Sequence, residues 1–148
     1  MKPIQFNDLG AQYAALKEDI DKAIANVIAG AHFISGPQVE ELEKALCDYT
    51  GRKYCVTCAS GTDALHLPLM AMGVGPGDAV FVPAFTFYAS SEVVSLCGAT
   101  PVFVDSLPDT YDIDPDDLLK KIAAVKAEGK LNPRGIIAVD LFGLPADY

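Results

Sequence analysis

The chain has no apolar run approaching the ~20 residues that span a bilayer, and its opening, MKPIQFNDLG, lacks a signal peptide's hydrophobic stretch. No membrane association is expected, and the reading is a cytoplasmic protein. Cysteine is scarce: Cys47, Cys55, Cys58 and Cys97 sit mainly in apolar patterns, where a reduced thiol acts as a small hydrophobe. Cys55 and Cys58 spell C-x-x-C, but no second pair or nearby histidine completes a site, so neither a metal nor redox chemistry is expected. Basic residues are also few, 11 against 20 acids, for a formal net charge of −9. Such a balance argues against nucleic acid as a main partner. Neither G-x-G-x-x-G nor G-x-x-x-x-G-K-[ST] occurs, which removes two signatures of nucleotide-binding loops.

What is present is enough for one sizeable core: 148 residues, 51% hydrophobic, with no linker, low-complexity tract or repeat. A segment from about 11 to 28, with Leu16, Ile20, Ile24, Val27 and Ile28 at helical spacing, precedes the turn-rich GAHFISGP, and a second helix is expected over 38–49. Beyond it the candidate strands KYCVTC, AVFVP, PVFVD and GIIAVDLF alternate with helical stretches at 61–73, 86–97 and 114–128. Asp114 is placed to cap the last helix, with Pro115 at its first position. Strands alternating with helices define an α/β protein, a mostly parallel sheet with helices on both faces.

Ligands of such sheets gather at the carboxyl ends of the strands. Two stretches fall there. The Ser60-Gly61-Thr62 turn opens a helix, whose first turn carries unpaired N–H groups and about half a positive charge. Gly61 lets the backbone approach an anion closely, and Thr62 adds a hydroxyl. Equally, Ser60 or Thr62 can serve only as a cap, with Asp63 favourable in the first turn. Pro68, beyond that turn, removes one hydrogen bond and is expected to kink the helix. The second stretch, PAFTFYASSEVV, crowds Phe85, Phe87 and Tyr88 into one loop, where each fills core or one stacks on a flat ring attached to the phosphate.

Taken together, FNDLGAQY, FISGPQVEELEKAL, ASGTDALHL, MGVGPGDAVFVPAFTFYAS, GATPVFVDSLPDTYDIDP and VDLFGLPADY resemble, in order and spacing, the N-terminal part of the DegT/DnrJ/EryC1/StrS family. These are pyridoxal-phosphate-dependent aminotransferases of nucleotide-linked keto sugars. The resemblance covers nearly the whole chain. It implies the N-terminal portion of the large domain of a fold-type I, aspartate aminotransferase-like enzyme, with a helical segment over 1–50 and alternating strands and helices over 51–148. It further implies that Gly61 and Thr62 hold the phosphate of pyridoxal 5′-phosphate, that Phe87 stacks on the pyridine ring, and that Ser60 shapes the turn. The implied partners are a nucleotide-linked keto-deoxysugar, an amino-acid donor such as glutamate, and a second subunit in a homodimer with shared active sites. The products would feed polysaccharide, glycan or natural-product glycosylation.

The chain departs from the family at Pro68, where alanine is more usual, and at Asp140, where histidine or another polar residue often stands. The larger departure is length. The family's Schiff-base lysine and the aspartate that pairs with the pyridine nitrogen lie in a part not present here, and no lysine of this chain matches the former. No catalytic residue is therefore assigned, the remaining domains are read as absent, and the chain alone is expected not to transaminate. Relatives with histidine at the lysine position dehydrate a sugar instead, and a truncated, non-catalytic homologue is a third reading. The unfinished sheet is expected to make the free polypeptide self-associate.

Overall fold

The computed structural model describes Ile4 and residues 6–148; residues 1–3 and 5, within the stretch read above for a signal sequence, lie outside the described residues. The chain divides into two compact units, the first ending at Thr57 and the second comprising Cys58–Tyr148.

The first unit is helical. Helix α1 (Leu9–Gly30) begins where the Asp8 carboxylate accepts the Ala11 amide at 2.9 Å, and it stops where Ala31 turns left-handed at φ 53°. Helix α2 (Pro37–Thr50) starts with proline at its first position, where the missing N–H costs nothing. Gly36 ahead of it is fixed by close approach: a Cβ there would lie 2.6 Å from the His32 carbonyl oxygen. The Glu43 carboxylate accepts the Thr57 amide at 2.8 Å and the Thr57 hydroxyl at 2.9 Å, tying the end of the unit to α2. These hydrogen bonds, the backbone one first, hold the Glu43 carboxyl below the usual glutamate range. Among the described residues the stretch 53–58, expected as a strand, has no strand pairing, and Tyr54 and Val56 are exposed. β-branched composition favours an extended chain, but only a neighbouring ladder makes it a strand.

The second unit is a parallel sheet of order β2-β1-β3, built from β1 (Asp78–Pro83), β2 (Thr100–Val104) and β3 (Asn132–Ile136). β1 lies between the other two, in register from Ala79↔Thr100 to Pro83↔Val104 on one side. On the other side it runs from Asp78↔Asn132 to Phe81↔Ile136, with an irregularity at Ala79/Val80. A central parallel strand is covered on both faces, and Ala79 through Pro83 are all buried. Val80 and Val82 pack with Leu69, Val93 and Val94 from helices α3 (Gly61–Ala71) and α4 (Ala89–Leu96). On the opposite face Phe81 shares a small cavity with Ile122 and Lys126 of α5 (Pro115–Glu128). The expected layering holds, helices above and below a parallel sheet. Proline suits an edge strand, and Pro133 sits in β3, which ends at Ile136 instead of running through GIIAVDLF. A short 3-10 turn, Leu141–Gly143, follows.

The helix signals read from sequence hold locally. Asp114 caps α5 by accepting the Asp116 amide at 2.8 Å and the Asp117 amide at 3.4 Å, and Gly129 closes it at φ 65°. Pro68 lies inside α3, which continues to Ala71. Among the described residues no helix is long and apolar enough to cross a membrane.

Candidate active site

Residues from the loops that leave the carboxyl ends of β1 and β3 lie beside the start of α3. There the Ser60 hydroxyl accepts the Asp63 amide at 3.2 Å, and the Ser60 carbonyl accepts the Ala64 amide at 3.0 Å. Ser60 is thus the cap, one of the two uses the sequence left open. The cap does not exhaust the turn. Among the described residues the Gly61 and Thr62 amides and the Thr62 hydroxyl meet no hydrogen-bond partner, and nothing lies within 4 Å of where a Gly61 Cβ would stand. Two donors and a hydroxyl therefore face open space at the positive end of a helix dipole. The Cys58 thiol donates to the Ser60 carbonyl at 3.3 Å, fixing the approach to the turn.

Gly61 and Thr62 line a cavity of about 420 Å³ with Leu65, Thr86, Phe87, Ala89, Ser90, Val139 and Leu141. Of the site residues named from sequence, Gly61, Thr62 and Phe87 thus come together, whereas Ser60, the cap, does not line the cavity. Sequence reading missed Thr86 and Ser90, whose hydroxyls meet at 2.9 Å, with Ser90 buried. Their spacing of four, across a loop-to-helix junction, was the available signal. It also missed Val139 and Leu141. Of the two uses left open for Phe85, Phe87 and Tyr88, core filling does not hold in this structure: Phe87 is 77% exposed and the other two are more than half exposed. A loop beyond the strand end leaves its side chains above the sheet, outside the layers where core forms.

Asp140 stands between Val139 and Leu141 and turns away from the cavity. Its Oδ1 accepts the Ala146 amide and the Tyr148 hydroxyl, each at 3.0 Å, so it holds the last residues against the strand end. The Tyr148 hydroxyl is in turn pushed above the ordinary tyrosine range, first by that hydrogen bond, then by desolvation and by the charges of Asp140 and Asp112. Among the described residues no cluster of side chains could hold a metal ion.

The geometry suits a phosphorylated, planar ring: free amides at a helix start for the anion, and an aromatic face two residues past another ring. The sequence profile of the DegT/DnrJ/EryC1/StrS aminotransferase family matches residues 14–148, and the chain belongs to that family. It is 47% identical over 147 residues to the UDP-2-acetamido-2-deoxy-3-oxo-D-glucuronate aminotransferase of Pseudomonas aeruginosa, covering 98% of this chain and 38% of that relative. With the GDP-perosamine synthase of Caulobacter vibrioides it shares 46% identity over 114 residues, 76% of this chain and 28% of the relative. Among solved structures, a DegT DnrJ EryC1 StrS aminotransferase from Brucella abortus superposes with a TM-score of 0.96 at 53% identity, covering 99% of this chain and 39% of that one. NtdA from Bacillus subtilis, solved with bound cofactor PMP, matches with a TM-score of 0.75 at 36% identity over 88% of this chain and 28% of its own. The chain therefore spans well under half the length of these relatives. The family's cofactor is pyridoxal phosphate, and neighbours have been solved in PLP and PMP forms.

Proposed function

We propose that the chain is the N-terminal portion of the large, cofactor-binding domain of an aminotransferase that moves an amino group from glutamate to a nucleotide-linked keto-deoxysugar. One observation carries the reading: the unpartnered Gly61 and Thr62 amides and the Phe87 ring border one cavity at the carboxyl ends of the strands. In it the Gly61 and Thr62 N–H groups donate to the phosphate, and the Thr62 hydroxyl adds a third donor. Phe87 covers one face of the pyridine ring and keeps water from it. The Thr86–Ser90 hydroxyl pair forms the polar floor beside them. Bound there, pyridoxal phosphate supplies an electron sink for the carbon that exchanges its amino group. By family resemblance the lysine that carries the proton and the aspartate that pairs with the ring nitrogen are outside these residues, so the isolated chain binds without turning over.

The same reading places the enzyme in the cytoplasm as a homodimer, in a pathway of polysaccharide, glycan or natural-product glycosylation. Exposed apolar residues on α1 and α2, Ile24, Ile28, Leu42 and Leu46, support a partner subunit.

Two assays test the proposal. The full-length enzyme carrying this sequence should release 2-oxoglutarate from glutamate beyond one equivalent per bound cofactor only when a nucleotide-linked keto sugar is present to take up the amino group; release of water from the sugar with no use of glutamate would assign it to dehydration. Borohydride treatment of the 148-residue chain with pyridoxal phosphate should leave no stoichiometric adduct on one lysine, and such an adduct would overturn the claim that the chain alone is inactive.

A further inference from the structure

A phenyl ring has no hydrogen bond with which to fix its own place, so the position of Phe87 is set by the backbone that carries it. That backbone belongs to the loop between β1 and α4. The loop is tied at its start, where the Ala84 amide donates to the Val104 carbonyl at 2.8 Å. At its far end Tyr88 occupies the N-cap position of α4 and makes no side-chain capping bond. One residue of the helix makes up for this. The Ser90 amide donates to the Phe87 carbonyl at 3.1 Å, and the Ser90 hydroxyl meets the Thr86 hydroxyl at 2.9 Å.

Ser90 is itself anchored. It is 5% exposed, and Val93 and Val94, three and four residues on and therefore on the same helical face, are fully buried. Both valines pack with Val80 and Val82 of β1. A hydroxyl set among such neighbours costs free energy unless it is hydrogen-bonded, and among the described residues its partner is Thr86. Threonine is stiff at χ1 because its Cβ is branched. Holding its Oγ1 therefore also holds the backbone from which the next residue, Phe87, projects. The chain of contacts runs from the sheet through the buried face of α4 to the residue before the ring and to the ring's own carbonyl.

We propose that Ser90 is a positioning residue for the cofactor, acting through Thr86 to set where the Phe87 ring stands before anything binds. The inference rests on the reading of Phe87 as the ring that stacks on the cofactor, and adds what holds that ring in place. A loop ordered in advance loses less freedom on binding, and that saving appears as affinity.

The test uses the full-length protein carrying this sequence, titrated with pyridoxamine phosphate, an amine that forms no imine with a lysine and so reports contacts alone. Thr86→Val keeps the side chain's shape and removes its hydroxyl; Thr86→Val combined with Ser90→Ala removes both hydroxyls, leaving neither unpaired. Each variant should bind about 2- to 10-fold more weakly, the range of one hydrogen bond's net worth. Each should also reduce the circular dichroism induced in the cofactor's absorption band, while the combined variant keeps a thermal midpoint near the parent's. In a Phe87→Ala background the combined change should cause no further loss, because the ring through which it acts is gone. Parent-like affinity and dichroism in the combined variant would overturn the positioning role and leave the stacking of Phe87 intact. An undiminished further loss in the Phe87→Ala background would do the same, by placing the hydroxyls on the cofactor itself. Parent-like binding by Phe87→Ala alone would overturn the stacking reading, and this inference with it.

Discussion

The Ser60 hydroxyl accepts the amide of Asp63, three residues on, and so leaves the two amides between them, those of Gly61 and Thr62, free at the mouth of α3. Capping and anion binding are usually weighed as rivals for one helix start. Here they use different donors and coexist.

A substitution at Ser60 should separate the two roles. Ser60→Ala removes the cap and should cost about 1 kcal/mol of stability, with cofactor affinity little changed. Ser60→Asp caps as well as serine but sets a negative charge beside the free amides. Thermal unfolding should find it as stable as the parent, while absorbance titration should find pyridoxal phosphate bound about tenfold more weakly. Equal cofactor affinity in Ser60→Asp would mean that the phosphate does not sit at this turn.

Phe81 and Phe87, six residues apart, should respond in opposite ways. Phe81 is 1% exposed at the centre of the sheet, and Phe81→Ala should cost about 3–5 kcal/mol by leaving a cavity. Phe87 has little core to lose, so Phe87→Ala should leave the denaturation midpoint nearly unchanged while loosening the cofactor. A stability loss at Phe87 as large as that at Phe81 would contradict its place above the sheet.

The Tyr148–Asp140 contact sets an alkaline signature. The tyrosine is raised in the folded chain, by the Asp140 hydrogen bond first, so the contact stabilises fully below the ordinary tyrosine titration and is lost as pH rises through the raised value. Tyrosinate absorbance, with Tyr148→Phe subtracted, should show a late-titrating group. In Asp140→Asn that group should return toward the ordinary range, about 10; no change would show the desolvation and Asp112 contributions to dominate.

Among the described residues, the Asp112 Oδ1 and the Ser106 hydroxyl are buried without partners in the loop that carries Tyr111. An unpaired buried polar atom costs its desolvation, about 1–3 kcal/mol. Asp112→Asn removes the charge at nearly constant shape and should be neutral or stabilising in thermal unfolding. Clear destabilisation would show that the carboxylate has a donor, such as bound water.

Features encoded within a few residues were legible in the sequence. The Asp114-Pro115 start of α5, the Ser60 turn and the apolar AVFVP strand need no distant information, because caps and buried runs are local. KYCVTC was misread because pairing decides a strand, and pairing is not local. Whether the loop rings fill core was left open for a related reason. Aromatic composition gives hydrophobicity, whereas their height above the sheet depends on where Pro83, Val104 and Ile136 end, which only the assembled register sets. Thr86 and Ser90 escaped notice because small hydroxyl residues acquire meaning only beside the α3 terminus.

Translation delivers the middle of this sheet before its flanks. AVFVP emerges early and gains β2 soon after, but its second edge stays bare until Asn132–Ile136 has been made. At about 5–20 residues per second that is several seconds in which the most apolar strand offers an open backbone to any passing chain. Slow codons placed between Val104 and Asn132 should lengthen the interval and lower the soluble yield without altering the finished fold. The order in which the strands are written thus makes the speed of the ribosome part of the protein's folding conditions.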